Sequence, residues 1–169
     1  MENVVIKVNF KTIFLLLIAL IVLFFTTLAS WYEGAQILDH PLEWKYTAVF
    51  SNWINGEIVT SKDILMIDYF VYAAKFAPIF PLVTISSLLF VVFQMGFLIF
   101  KDNKMLMSIF LGFMAIGSFV VSGVLFSSPT EGLILFSIFF GIVGIISAVS
   151  LLLLKKAKKM KICQLGIIN

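Results

Sequence analysis

Four long runs of apolar residues alternate with polar segments along this chain of 169 residues. Each run approaches or exceeds the roughly 20 residues that a helix needs to cross the hydrocarbon core of a bilayer. None of the runs contains a charged side chain. The pattern therefore predicts four transmembrane helices, at residues 13–29, 79–100, 105–126 and 132–154.

The predicted fold class is all-α, a four-span transmembrane helical bundle forming a single integral membrane domain over residues 1–169. A loop of residues 31–77 separates the first two spans, and a tail of residues 155–169 follows the last. We expect this loop to be extracytoplasmic and to contain short amphipathic helices.

Apolar positions inside the loop recur with a helical period. Pro41 is placed to open a first helix, and Asn55-Gly56 to end it. Its predicted apolar face contains Leu42, Tyr46, Val49, Phe50 and Trp53. A second helix is expected over residues 64–76. Two interpretations remain open: the aromatic face rests on the bilayer or bundle and binds nothing, or it forms a surface for a partner or ligand.

Small residues recur at helical spacing in the third and fourth spans. Such faces let helix backbones approach closely, which is a main packing device in lipid. Because a five-residue turn joins these spans, we expect the two faces to pack together, with homodimerisation as the alternative. The predicted packing residues are Gly112, Ser122, Gly141 and Gly144.

Composition supports a membrane protein: 62% of the residues are hydrophobic and 12% are charged, against roughly 25% charged in soluble domains. This leaves no room for a conventional soluble catalytic domain, so we expect no enzyme activity. All twelve basic residues are lysine, and nine of them lie in the N-terminus, the 101–104 loop and the tail. The other three, Lys45, Lys62 and Lys75, lie in the loop of residues 31–77 together with six carboxylates. Because lysine is retained on the cytoplasmic side, both termini are predicted to be cytoplasmic in a multi-pass protein of the cell membrane.

The first apolar run permits a second interpretation. Two lysines precede it, and Thr27-Leu28-Ala29 follows the small-x-small pattern that signal peptidase accepts. The run is longer than a typical signal-peptide core, which favours retention of the helix.

Aromatic side chains other than phenylalanine are confined to residues 31–72. We expect Trp53 to be packed within the loop and Trp44, flanked by two charges, to be an exposed interaction anchor. A metal site among scattered acids and His40 is disfavoured, because no known ligand spacing occurs. No catalytic, cofactor-binding or metal residue is therefore predicted. The candidate interaction residues are Trp31, Tyr32, Glu33, Trp44, Tyr46 and Asp68.

Three segments carry a resemblance to a known family: residues 30–34 (SWYEG), residues 43–46 (EWKY) and residues 68–76 (DYFVYAAKF) before Pro78 and Pro81. In order and spacing they resemble the YjdJ-like group of uncharacterised small Bacillus-type membrane proteins, over residues 13–100. The resemblance implies a bacterial cell membrane protein and no mechanism.

The function expected is therefore non-catalytic: an envelope membrane protein whose aromatic and acidic loop is a cap for recognising a partner or ligand. The alternative is a small transporter or channel, although the spans lack the ionisable residues that commonly mark coupled transport. Expected partners are the lipid bilayer and another membrane or envelope protein, with a homo-oligomer possible and no nucleic acid.

Overall fold

The computed structural model describes residues 9–166, with side chains through Lys156. This part of the chain is helical and contains no strand, which confirms the predicted fold class. Four of its helices are long and apolar enough to cross a membrane, as expected of a membrane protein. The helices are α1 (Phe10–Gly34), α2 (Trp44–Thr47), α3 (Val49–Asn55), α4 (Met66–Phe76), α5 (Ile79–Phe100), α6 (Lys104–Phe126) and α7 (Glu131–Gly166), with short 3-10 helices at Ala35–Asp39, Pro41–Glu43 and Ser61–Asp63.

Local capping sets where the long helices begin. The Asn9 side chain accepts a hydrogen bond at the start of α1. Asn103 does the same for α6, accepting from the amides of Met105 at 3.0 Å and Leu106 at 3.1 Å. These bonds satisfy first-turn amides that lack partners within the helix.

Two helices extend beyond their predicted spans. α1 continues without interruption through Ala29 and Ser30 to Gly34, whereas the predicted span ended at residue 29. α7 continues past residue 154 into the lysine-rich tail. The tail's side chains beyond Lys156, including Cys163, lie outside the described residues.

The described chain divides into two compact units. Unit 1 runs to Val92 and includes Ser128–Leu135; unit 2 contains Phe93–Ser127 and the chain from Phe136 onward. The core cluster of unit 1 lies in the loop, around Ile37, Ala48, Ile64 and Tyr72.

Close backbone contacts hold α4 within unit 1. A Cβ placed on Gly34 would lie 1.9 Å from the carbonyl oxygen of Tyr69, so α1 and α4 meet where only glycine fits. A Cβ on Gly132 would lie 2.3 Å from the carbonyl oxygen of Ala74. In addition, the buried hydroxyls of Ser30 and Thr84 lie 3.3 Å apart, a polar contact between α1 and α5.

In unit 2, α6 and α7 pack through small residues. The hydroxyl of Ser122 donates to the Ser137 carbonyl at 2.8 Å, and the hydroxyl of Ser137 donates to the Ser122 carbonyl at 2.8 Å. A Cβ on Gly141 would lie 3.3 Å from the Ser122 hydroxyl, and one on Gly144 would lie 3.0 Å from the Phe119 ring.

Gly112 also lies at the contact between α6 and α7, but it has more space around it. A Cβ there would lie 3.9 Å from the Leu151 side chain, which is an ordinary contact. The four small residues proposed for packing therefore all lie on α6 and α7, but they are not equally tight.

The first loop helix differs from its prediction. The expected continuous helix to Asn55 is divided into a 3-10 turn, α2 and α3, with a break at Ala48, whose φ and ψ are −80° and 59°. The second expected helix begins at Met66, after two extended residues. Side chains of α4 form hydrogen bonds with both helix ends beside Ala48.

Candidate recognition surface on the loop cap

The loop cap, residues 35–77, is organised by two charged side chains on α4. Asp68 is fully buried, and its carboxylate accepts hydrogen bonds from the amide of Phe50 at 3.0 Å and the amide of Ser51 at 2.7 Å. It also accepts from the Ser51 hydroxyl. Asp68 thus caps the N-terminus of α3 from another helix. A negative charge is favourable there, because unpaired amides and the helix dipole make a helix N-terminus electropositive.

Lys75 performs the complementary role at the end of α2. Its ammonium group donates to the carbonyl of Tyr46 and, at 3.2 Å, to the hydroxyl of Thr47. A cation stabilises the electronegative C-terminus of a helix. Asp68 and Lys75 are seven residues apart, close to two helical turns. One face of α4 therefore holds both helix ends that flank the break at Ala48.

Asp68 was predicted as an interaction residue, and this expectation requires correction. The carboxylate is inside the cap and is occupied by donors from α3. A buried carboxylate must be satisfied within the protein, so Asp68 supports the surface without forming part of it.

The expected roles of Trp44 and Trp53 are reversed. Trp44 is half-buried against the core cluster, and its indole N–H donates to the carbonyl of Ile37 at 2.8 Å. The Asn52 side-chain amide donates to the Trp44 carbonyl at 2.9 Å. Trp53, expected to be packed, is 83% exposed.

α3 presents its apolar side outward and its polar side inward. Ser51 is fully buried on Asp68, whereas Trp53 and its helical neighbours are exposed. Positions three and four apart lie together on a helix surface, so the exposed side chains of α3 form one face. This outer face of α3 consists of Val49, Phe50, Trp53 and Ile54.

Other predicted interaction residues occupy different parts of unit 1. Tyr46, on α2, is exposed, and the Lys45 ammonium lies 5.7 Å from the centre of its ring. Trp31, Tyr32 and Glu33 belong to the last turn of α1 rather than to the loop, and the Tyr32 ring is the most exposed of the three. The structure does not gather these predicted residues into one constellation.

The interior of the cap perturbs two titratable groups. Burial raises the pKa of the Tyr72 phenol above its ordinary value, and the nearby Glu43 carboxylate raises it further. Desolvation lowers the pKa of the Lys75 ammonium, while the Glu43 carboxylate acts in the opposite direction. The Tyr72 ring is stacked on His40, with 6.1 Å between ring centres.

Within the described residues, no three His, Cys, Asp or Glu side chains come together as a metal ion would require. Asp63 is engaged in a capping box, in which the amide and hydroxyl of Thr60 each donate to its carboxylate at 2.9 Å. These hydrogen bonds lower the pKa of Asp63, with the backbone bond contributing most. The carboxylates of Asp63 and Asp68 thus hold short helices of the cap in place.

Sequence reasoning missed the anchoring roles of Lys75 and Gly34. The seven-residue spacing of Asp68 and Lys75 was a usable signal, because it places opposite charges on one face of α4. The role of Gly34 had no comparable signal, since a close backbone approach leaves no periodic pattern.

The helices and the cap define a helical membrane protein with four potential spans and an ordered, apolar-surfaced loop between the first two. Within this class, the chain belongs to the family described as Domain of unknown function (DUF4306), which matches residues 13–100. It is 32% identical over 90 residues to Uncharacterized protein YjdJ of Bacillus subtilis (strain 168), a match that covers 51% of this chain and 83% of that protein. The predicted resemblance to a YjdJ-like family is therefore confirmed. No solved structure matches the chain.

The family match has clear limits within the fold. The matched region contains α1 from residue 13 onward, the whole loop cap and α5, and it ends before α6 begins. The anchors Asp68 and Lys75 and the outer face of α3 therefore all lie inside the region shared with the family.

Proposed function

We propose that this protein is a non-catalytic multi-pass protein of the cell envelope, whose loop cap recognises another membrane or envelope protein through the outer face of α3. One observation carries the proposal: Trp53 is 83% exposed although the cap beneath it is ordered by buried hydrogen bonds. Exposed apolar patches on folded proteins commonly mark interaction sites, and tryptophan is enriched among the residues that dominate binding energy.

The construction of the cap supports recognition over simple packing. Asp68 and Lys75 hold α2 and α3 from the inside, and the Trp44 indole is bonded to the Ile37 carbonyl. The exposed side chains of α3 are thus presented from a fixed backbone. Preorganisation of this kind reduces the entropy that binding would otherwise lose.

A cleft beside α3 adds polar groups to the same region. Its volume is about 440 Å³, and its lining includes Lys45, Asn52 and Glu57. An apolar centre with a polar margin is the usual composition of a protein interface. This composition supports a protein partner.

The proposal is tested by photocrosslinking in native membranes. A benzophenone-bearing amino acid replaces Trp53, and in a matched control it replaces Lys62, an exposed residue of the cap outside α3. We expect the probe at position 53 to give a discrete adduct with a different protein, and the probe at position 62 to give none.

A second variant makes the result specific. Trp53→Ser should abolish co-purification of that adducted protein through a tag on the C-terminal tail, whereas Val59→Ser, at another exposed apolar position of the cap, should leave it unchanged. Adducts formed only with lipid would show that α3 rests on the bilayer, and adducts formed only with a second copy would show self-association. Either result would refute recognition of another protein.

A further inference from the structure

Unit 2 contains an apolar groove that ends among lysines. The groove has a volume of about 640 Å³ and is formed by the end of α5, the first turns of α6 and the last apolar turns of α7. Its walls are mainly apolar, whereas Lys101 and Lys104 border one end. The apolar lining residues are Phe97, Met107, Leu111, Leu153 and Leu154.

A smaller pocket adjoins the groove and adds a third lysine. This pocket, of about 240 Å³, shares Lys104 and Leu154 with the groove and is also lined by Lys155. Lysines from the α5–α6 connection and from α7 therefore border one continuous region of unit 2. Asp102 lies between the first two lysines in sequence, but it does not line either cavity.

The groove coincides with the level at which the apolar spans become polar. The uncharged part of α5 ends at Phe100, and α7 first carries charge, after Glu131, at Lys155. Along α6, the distance from Lys104 to Leu111 is seven residues, or about 10 Å at 1.5 Å per residue. The groove thus extends from the charged boundary about two helical turns into the apolar layer.

We propose that this groove is a binding site for one anionic phospholipid, with the phosphate headgroup at Lys101 and Lys104 and an acyl chain along the apolar walls. Basic pockets between membrane helices are suited to anionic headgroups. Among the described residues, the one other polar side chain that lines the groove is Ser150, whose hydroxyl donates to the Ile146 carbonyl at 2.8 Å. Apolar walls beside a cationic end match a phospholipid and do not match a soluble anion.

The site is tested by native mass spectrometry of the full chain in neutral detergent. Phosphatidylglycerol and phosphatidylcholine with identical acyl chains are supplied separately. We expect one phosphatidylglycerol to be retained per chain and phosphatidylcholine to be lost at the same collision energy. Glycerol phosphate in millimolar excess should not displace the lipid, because it lacks the acyl chain.

Two pairs of variants assign the binding to the groove. Lys101→Gln with Lys104→Gln should weaken phosphatidylglycerol binding about thirtyfold, at about 1 kcal/mol for each lysine, whereas Lys11→Gln with Lys156→Gln removes the same charge elsewhere and should not. Leu153→Trp fills the groove and should prevent retention. Leu152→Trp alters the neighbouring exposed residue, which does not line the groove, and should retain the lipid.

Several results would overturn the proposal. Equal retention of both lipids would indicate ordinary annular lipid, and displacement by glycerol phosphate would indicate a phosphate site without lipid selectivity. Wild-type retention in both groove variants would place the bound lipid somewhere else on the protein.

Discussion

Trp44 and Trp53 show how two identical side chains nine residues apart acquire opposite roles. On an unbroken helix, Trp53 would belong to the apolar stripe and Trp44 would lie off it, which is why the sequence suggested that Trp53 is packed. The break at Ala48 removes this common helical frame. Trp44 then packs against the core cluster, and its indole N–H donates a hydrogen bond to the Ile37 carbonyl. Charged neighbours in sequence were a poor guide to its exposure.

The first prediction concerns these two rings. Trp44→Ala should lower the free energy of unfolding of the cap by roughly 1–3 kcal/mol, because the substitution removes a half-buried ring and its hydrogen bond to the Ile37 carbonyl. Trp53→Ala should change it by less than about 0.5 kcal/mol, as expected for an exposed site. Limited proteolysis of residues 35–77 in detergent measures both changes. Equal sensitivity of the two variants would contradict the assigned roles.

A second prediction at this scale concerns pH. The folded pKa of Asp63 is lowered, so its capping box contributes stability that is present above its ordinary value of 3.8 and is lost as the pH falls through the folded pKa. Titration of ¹³C-labelled aspartate should therefore give a midpoint below 3.8 for Asp63. Thr60→Val keeps the backbone hydrogen bond and removes the hydroxyl hydrogen bond. It should therefore raise the Asp63 midpoint toward 3.8 without reaching that value. A midpoint above 3.8 in the wild type would contradict the capping box.

At the scale of elements, α4 determines the form of the helices beside it. Asp68 supplies the negative charge that the start of α3 favours, and Lys75 supplies the positive charge for the end of α2. Neither α2 nor α3 is long enough to be stable alone in water. The sequence predicted helical content in this region correctly, but the break depends on contacts 17 or more residues away, which local periodicity cannot reveal.

The third prediction tests this anchoring. Asp68→Ala should destabilise the cap by about 3 kcal/mol or more, since it leaves the buried amide of Ser51 without its acceptor and removes a charge-assisted bond. Asp39→Ala removes an exposed carboxylate and serves as the control. Hydrogen exchange of the α3 amides should accelerate in the first variant and remain unchanged in the second. Slow exchange in Asp68→Ala would show that α3 does not depend on α4.

The fourth prediction concerns the close contact between α1 and α4. Gly34→Ala should lower the melting temperature of the full chain in detergent, because its Cβ would overlap the backbone of Tyr69 and the helices would have to separate. Gly123→Ala introduces the same methyl group where no atom lies within 4 Å, so it should be neutral or slightly stabilising. Equal melting of the two variants would mean that α4 tolerates displacement from α1.

At the scale of the whole molecule, sequence patterns predicted different parts of the fold to different degrees. The starts of α5, α6 and α7 fall within one residue of the predicted spans, because uncharged length and helix-starting residues are local properties. The outward apolar face of α3 and the groove of unit 2 depend on which helices meet, so no local sequence pattern reveals them. The predicted exposure of Trp44 and the predicted surface role of Asp68 were wrong for the same reason, because burial is a tertiary property.

The last prediction concerns topology, on which both the recognition surface and the lipid groove depend for access. Nine lysines flank the N-terminal end of α1, the α5–α6 connection and the end of α7, whereas the α6–α7 turn has none and the loop of residues 31–77 has three, among six acidic residues. Since lysine is retained in the cytoplasm, we expect the loop cap and this turn to lie outside the cell membrane and both termini to lie inside.

In a Cys163→Ser background, Ser127→Cys should react with an impermeant thiol reagent in intact cells, and Asp102→Cys should react only after permeabilisation. Both positions are exposed, so a difference between them reports the side of the membrane. Reaction of Asp102→Cys in intact cells, with protection of Ser127→Cys, would invert the topology and place the outer face of α3 in the cytoplasm.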